Sequence, residues 1–398
     1  MDTDGKPLAT RIATGVGKIL FSLRTKKLPE QMLLRSNQGS ARKVLLLKVG
    51  AIGDILMTTP LVRKLSKAGY AVDYAVGVFS HPILVGNPHL RELIVFDDNL
   101  IYGKQKSIIE NLKLIKKIRH NNYDLILVLD KSWMAGIYAW LCSVFKKTLR
   151  IGFDRQGEGF ANNVSIPYLQ NKHDSLSYLD LAIPLEAVYD EKNKENWKMD
   201  IFLKPEDRKF AKRFFQQLHL SKQTIGIVVG GGKNPGQSFN LKIWSKERYA
   251  ELIGQLIQKY DVLLLGGPSD KEDAEFVMQA AQEQTAQTAM KRKTKHKLHK
   301  LVSAVGETSI HQSIALMERC KKIVCSDSGP MHMAATVNEN IISIFGPTDP
   351  NVYAPLHKKS RYIWKEDCAC YTIFGTHTTC TPGMIDKTQA EDVLKALR

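Results

Sequence analysis

The chain has 398 residues, 43% of them hydrophobic, and 57 Lys and Arg against 40 Asp and Glu give a formal charge of +17. This length and apolar content exclude a disordered chain or a small disulfide-stapled fold, and favour two domains over one. No uncharged run approaches the ~20 residues of a membrane-spanning helix, and the start, MDTDGKPLATRIATG, lacks the charged-then-apolar order of a secretory signal; a cytoplasmic protein with reduced cysteines is expected.

Residues 1–40 read as a separate basic arm. Ile12, Val16, Ile19, Leu20 and Leu23 recur at helical spacing, while Arg11, Lys18, Arg24, Lys26 and Lys27 supply positive charge. The pattern suits a helix lying on an anionic membrane surface, or a helix packed on its own domain with a solvated basic side. From Lys43 the texture changes to short apolar runs, KVLLLKVG, AVDYAVGV, LIVFDD, DLILVLD and LRIGF, alternating with helical segments. Uniformly apolar strands of this kind predict a parallel sheet covered on both faces. After a polar stretch near 186–208 the pattern restarts with TIGIVVGGG, DVLLLGGP, KKIVCSD and NIISIFGP.

The expected architecture is therefore α/β, two facing Rossmann-like doubly wound domains over 41–200 and 201–385, with a C-terminal helix at 386–398 that crosses back. Residues 285–300 carry six Lys and Arg without an acid and read as an exposed loop insertion. No aromatic residues interleave these charges, so a nucleic-acid partner is not expected.

Ligands of open α/β sheets bind beyond the carboxyl ends of the strands. The first such place, KVGAIGDILMTTP (48–60), has Gly50 and Gly53 for a tight turn and Asp54 at the start of a helix, as an N-cap or as a proton acceptor for a hydroxyl. The second, GGGKNPGQSFNLKIW (230–244), offers bare backbone through Gly232 together with Lys233 or Lys242 for phosphate oxygens, without the spacing of a P-loop. In the third, CSDSGPMHMAA (325–335), a strand ends at Asp327, and Ser328, Gly329 and Pro330 open a helix carrying Met331 and His332. Such a helix start is an anion site suited to a diphosphate. IFGPTDP (344–350) ends the next strand with another acid, Asp349.

Together and in this order, these stretches resemble the ADP-heptose:lipopolysaccharide heptosyltransferase family, glycosyltransferases of the GT-B fold, over about 43–398. The similarity rests on KVGAIGDILMTTP, on GETSI at 306–310 and above all on SDSGPMHMAA followed by IFGPTDP. The chain departs from the family pattern at Val49, Gly50 and Ala51, where small hydroxyl residues are common, and at Glu307, where a lysine is usual. The resemblance implies an inverting transfer of a heptose or similar sugar from an ADP-linked nucleotide sugar to a lipopolysaccharide-type glycolipid acceptor. Asp54 would be the general base. Lys242 would neutralise the nucleotide phosphates, Gly232 and the Ser328–Met331 helix start would hold the diphosphate, and Asp327 and His332 would hold the sugar. Lys48 and Gly53 would lie on the acceptor side, with Lys131 and Arg155 as further acceptor-phosphate contacts or plain surface charge.

No cofactor is required by such a transfer, although Mg2+ is compatible with the diphosphate. Cys368, Cys370 and Cys380 with His377 supply four zinc-type ligands at a non-standard spacing, and ordinary thiols are the expectation. Two rival readings stay open: a nucleotide-sugar epimerase of the same fold, and a non-catalytic protein that binds polyanions.

Overall fold

Leucine and β-branched runs that cannot face water become strands buried on both sides, and the segments between them become the helices that cover them. In the computed structural model, residues 8–22, 41–102, 107–231, 233–234, 237–238, 240–292, 298–365, 370, 380–381 and 383–398 are described. The chain divides into two units between Asp200 and Ile201.

The first unit contains α1 (Leu8–Ser22), β1 (Lys43–Lys48), α2 (Ile52–Lys67), β2 (Ala71–Gly77), β3 (Glu92–Phe96), α3 (Asn99–Tyr102), α4 (Ile108–His120), β4 (Leu125–Val128), α5 (Trp133–Ser143), β5 (Leu149–Asp154), β6 (Val164–Pro167), α6 (Asp174–Asp180) and α7 (Lys194–Trp197). Its six strands pair in parallel in the order β3-β2-β1-β4-β5-β6. Leu45 and Leu47 of β1 and Ile126 and Val128 of β4 form one core with α3, α4 and α5. α2 packs instead against α6. At the end of this unit Arg63 on α2 bonds to Asp200, and Thr59 Oγ1 accepts from the Asp200 backbone at 2.8 Å, fixing the chain where it leaves.

The second unit contains α8 (Pro205–Gln217), β7 (Ile225–Val228), a two-residue antiparallel pair β8 (Lys233–Asn234) and β9 (Gln237–Ser238), α9 (Lys246–Leu256), β10 (Val262–Leu265), α10 (Lys271–Arg292), β11 (Leu301–Ser303), α11 (Ile310–Arg319), β12 (Lys322–Ser326), α12 (Gly329–Val337), β13 (Ile341–Phe345), α13 (Pro350–Tyr353), β14 (Arg361–Trp364) and α14 (Ala390–Leu397). The order β11-β10-β7-β12-β13-β14 repeats that of the first sheet, again with every pair parallel. Ile225, Ile227, Val324 and Ile344 share their core with the buried Trp244 and with α9, α10 and α14. The expected α/β class of two Rossmann-like sheets is thus the observed one.

Four expectations need correction. The arm is not detached along its helical part, and its reading as a helix packed on its own domain is the observed one: α1 packs on α5 and on a 3-10 turn at Glu158–Ala161. It does so through Thr14 and Gly17, which are buried, and a Cβ at Gly17 would lie within 2.5 Å of the Phe160 ring. Leu23 and the rest of 23–40 lie outside the described residues. The final helix does not cross back, because Ala390, Val393 and Leu397 of α14 bury against α9, β13 and β14 of the second unit. The basic segment expected as a loop from 285 continues α10 as far as Arg292, and 293–297 lie outside the described residues. Finally, Cys370 and Cys380 are joined in a disulfide with Cα atoms 5.5 Å apart, a separation a disulfide spans naturally. Neither sulfur is then a thiolate for zinc; Cys368 and His377 lie outside the described residues. Cys142, Cys320 and Cys325 are buried thiols whose ionisation burial pushes upward.

Candidate functional site

In a sheet of order 3-2-1-4-5-6 the strand sequence reverses between the first and fourth strands, and the crevice beyond their carboxyl ends is where ligands sit. In the first unit this is the gap between β1 and β4. Lys48 closes β1 and is 4% exposed; its ammonium donates to Asp130 Oδ1, just past β4, at 3.0 Å and lies 3.6 Å from Asp54 Oδ1. The Val49 backbone N–H donates to the other Asp130 oxygen at 3.0 Å. Burial alone would lower the Lys48 pKa, but the Asp130 and Asp54 carboxylates outweigh it and hold the ammonium well above the usual lysine range.

Asp54 is not the cap of its helix. Ala51 is the N-cap, and Asp54 is the third residue of α2, where a carboxylate meets the positive end of the helix dipole. Its side chain is 39% exposed, with Tyr178 OH donating to Oδ1 at 3.4 Å. Gly53, beside it, is buried in the same turn. Tyr178 is fully buried, and burial followed by the Asp54 charge drives its phenol well above ordinary tyrosine, so it remains a donor. A half-exposed carboxylate oriented by an ammonium and a phenol can accept a hydroxyl proton.

Two lysine and arginine candidates are engaged elsewhere. Lys131 donates to both oxygens of the buried Asp174, at 2.7 and 2.9 Å, and to Tyr168 OH at 3.0 Å. Arg155 Nε donates to the buried Glu158 at 2.6 Å. Both are bound within their own unit by internal carboxylates and are only 15% exposed, so neither is plain surface charge.

The second unit repeats the logic between β7 and β12. Gly230 and Gly231 follow β7 with φ of +94° and +114°, and a Cβ on Gly231 would meet the Ser328 side chain at 2.9 Å. Only glycine lets this backbone approach the start of α12. Ser328 is the N-cap of α12 in extended conformation, Gly329 and Pro330 form its first turn, and no acid occupies that turn to compete with an anion. Met331 and His332 on α12 are both buried.

Lys242 Nζ donates to Asp327 Oδ2 at 2.8 Å, and Thr348 Oγ1 donates to the same oxygen. Burial alone would raise the Asp327 carboxyl; the Lys242 charge, the bonds from Lys242 and Thr348, and the nearby His332 outweigh it and hold Asp327 below the usual carboxylate range. Lys242 also stands 5.6 Å over the Tyr353 ring. Asp349 caps α13 by accepting from the Asn351 N–H.

Lys242, Asp327, Ser328, Gly329, Pro330, Met331 and His332 therefore gather at one place in the second unit, and Lys48, Gly53 and Asp54 at one place in the first. Gly232 lies outside the described residues. Sequence reasoning missed Asp130, Tyr178 and Thr348. Asp130 carried a usable signal, an acid ending the strand beside β1. Tyr178 carried none, since its partner is 124 positions away in sequence.

A family model described as glycosyltransferase family 9 (heptosyltransferase) matches residues 111–381. Lipopolysaccharide heptosyltransferase 2 of Escherichia coli K12 is 28% identical over 331 residues, spanning 81% of this chain and 87% of its own. The solved E. coli ADP-heptose lipopolysaccharide heptosyltransferase II shares the fold with a TM-score of 0.65 at 23% identity, covering 89% of this chain and 97% of the other. An E. coli heptosyltransferase solved with ADP-2-deoxy-2-fluoro heptose shares it with a TM-score of 0.63 at 16% identity, over 89% and 98%. Matched by the family model over more than half its length, the chain belongs to glycosyltransferase family 9, the heptosyltransferases, and is a glycosyltransferase.

Proposed function

We propose that this glycosyltransferase moves a heptose from an ADP-linked donor to a lipopolysaccharide-type glycolipid, with inversion at the anomeric carbon and Asp54 as general base. The observation that carries the reading is the half-exposed Asp54 carboxylate at the switch point of the first sheet, held by Lys48 and Tyr178. In this reading Asp54 takes the proton from the acceptor hydroxyl as its oxygen attacks the anomeric carbon, the glycosidic bond to the diphosphate breaks, and ADP leaves. Lys48 orients Asp54 rather than touching the acceptor, because its ammonium is buried and bonded to Asp130.

The α12 N-terminus and the Gly230–Gly231 backbone receive the donor's diphosphate, and Lys242 offsets the charge that grows on it. Asp327 and His332 hold the sugar. The ADP-linked ligand of the solved relative and the lipopolysaccharide acceptor in the names of the similar enzymes support this choice of substrates. The reading calls for no resident cofactor, assigns any Mg2+ to the donor's diphosphate, and includes no nucleic acid. It sets the enzyme at the cytoplasmic face of an anionic membrane, where a lipid-anchored acceptor resides; among the described residues no helix is long and apolar enough to cross that membrane.

The test is transfer from ADP-heptose by purified Asp54→Ala protein. A fall of at least about a hundredfold with an unchanged ADP-induced melting shift is expected for loss of a general base. Activity within threefold of wild type would remove Asp54 from that role. Incubation with donor alone separates transfer from epimerisation, since only an epimerase rearranges it.

A further inference from the structure

The first unit carries an apolar surface made of residues to which no role in the reaction is assigned above. α5, WMAGIYAWLCS, contains no charged residue, and Trp133, Ile137, Trp140 and Leu141, none of them buried, recur at the spacing of one helical side. Helices α1 and α4 both pack against α5, making one continuous layer. α1 buries Thr14 and Gly17 and turns Leu8, Ile12, Val16 and Ile19 to the opposite side, each more than half exposed. α4 exposes Ile108, Ile109 and Leu112 to the same degree, and Phe145, in the loop that follows α5, is 96% exposed. Scattered apolar side chains on a surface need no explanation, but a contiguous accumulation of this kind marks an interaction site.

Charge identifies the chemistry of the partner. α1 adds Arg11 and Lys18, α4 adds Lys116 and Lys117, and Lys146 and Lys147 follow Phe145. The only acid in 8–22, 108–120 and 133–147 is Glu110, paired with Lys113 at 2.7 Å; Glu92 on β3 lies 3.4 Å from Lys117. Apolar side chains ringed by lysines, with indoles among them, match the boundary of a negatively charged bilayer, where hydrocarbon, headgroup and phosphate follow one another within a few ångströms.

We propose that the α1–α5–α4 face of the first unit rests on an anionic phospholipid surface. The apolar side chains enter the headgroup boundary and the lysines meet lipid phosphates. The proposal deepens the reading of a lipid-anchored acceptor, on which its purpose rests, by assigning the docking face and the lipid chemistry.

The experiment is co-sedimentation of the full chain with phosphatidylcholine vesicles, with and without phosphatidylglycerol. Binding is expected only with the anionic lipid and should weaken as salt rises. Lys116→Glu/Lys147→Glu should reduce partitioning at least about twentyfold, at roughly fivefold per lysine lost. Ile12→Glu/Val16→Glu should reduce it comparably, while Lys222→Glu, an exposed lysine of the second unit, should leave it unchanged. All these side chains are exposed, and retention of the ADP-induced melting shift checks that each variant is folded.

Equal sedimentation with both lipids, or wild-type binding by both double variants, overturns the proposal. So does a dimer in sedimentation equilibrium that Ile12→Glu/Val16→Glu dissolves, because the face would then be covered by a second copy. Transfer to a delipidated acceptor is measured in parallel: transfer without vesicle binding defeats this inference alone, and vesicle binding without transfer defeats the reading of the site alone.

Discussion

Replacing Lys48 with Met removes the cation that bonds to Asp130 and lies 3.6 Å from Asp54, while keeping the length and apolar character of the stem. The ammonium is 3.0 Å from Asp130 and 3.6 Å from Asp54, so the gross attraction to Asp130 is ~5 kcal/mol at an effective dielectric near 20. Desolvation of the ammonium offsets much of it. Deleting one partner of a buried pair costs about 3–5 kcal/mol because the remaining charge is left uncompensated. Here the lower end applies: Asp130 keeps the Val49 N–H and Asp54 is 39% exposed to water. A loss of about 3 kcal/mol corresponds to a fall of roughly 6–12 °C in the melting of a unit of this size.

Scanning fluorimetry of Lys48→Met measures that fall, and a second variant, Lys48→Met/Asp130→Asn, should recover ~1–2 kcal/mol of it because no orphaned carboxylate remains. Since the folded pKa of Lys48 is raised, its contribution is fully present below about pH 10.4 and disappears only as pH climbs through the raised value. A fall below about 2 °C, or a double variant as costly as the sum of the single ones, would refute the account of Lys48 as the support of this site.

Asp327→Asn should abolish most of the ADP-induced melting shift by leaving Lys242 without its fixed acceptor geometry. The Asp327 pKa is depressed in the fold, so the stability it confers is present above about pH 3.9 and vanishes as pH falls through the depressed value. The melting difference between wild type and Asp327→Asn should therefore narrow below about pH 4. Gly231→Ala should weaken ADP at least about tenfold, measured by calorimetry, because φ of +114° strains alanine and its Cβ would press on Ser328. Tyr178→Phe should lower kcat by about three- to tenfold and leave KM for the donor unchanged, since it frees Asp54 to turn without touching the nucleotide region.

Strand positions were legible because runs such as KVLLLK and IISIF permit no other burial, and the repeated rhythm of those runs disclosed two sheets of one kind. Helix α12 was equally legible, since Ser-Gly-Pro after a strand has one economical conformation, an extended cap followed by a first turn. What escaped were the contacts that span many positions in sequence. Thr348 reaches Asp327 across 21 residues and Asp130 reaches Lys48 across 82; the strand-end position of Asp130 was readable, but neither pairing is encoded locally. The fate of α1 was half visible: its apolar stripe was read correctly, but burial went to the small residues on the opposite side, where Gly17 allows the approach to Phe160.

The common strand order of the two sheets means that this protein owns the same architectural crevice twice, once filled by a carboxylate and once by a glycine turn beneath a helix start. Among the described residues, each sheet is built from strands of its own unit. On the proposed assignment of the donor to the second unit and the acceptor to the first, splicing another family member's sequence in after Asp200 should exchange the sugar nucleotide and leave the glycolipid preference where it was.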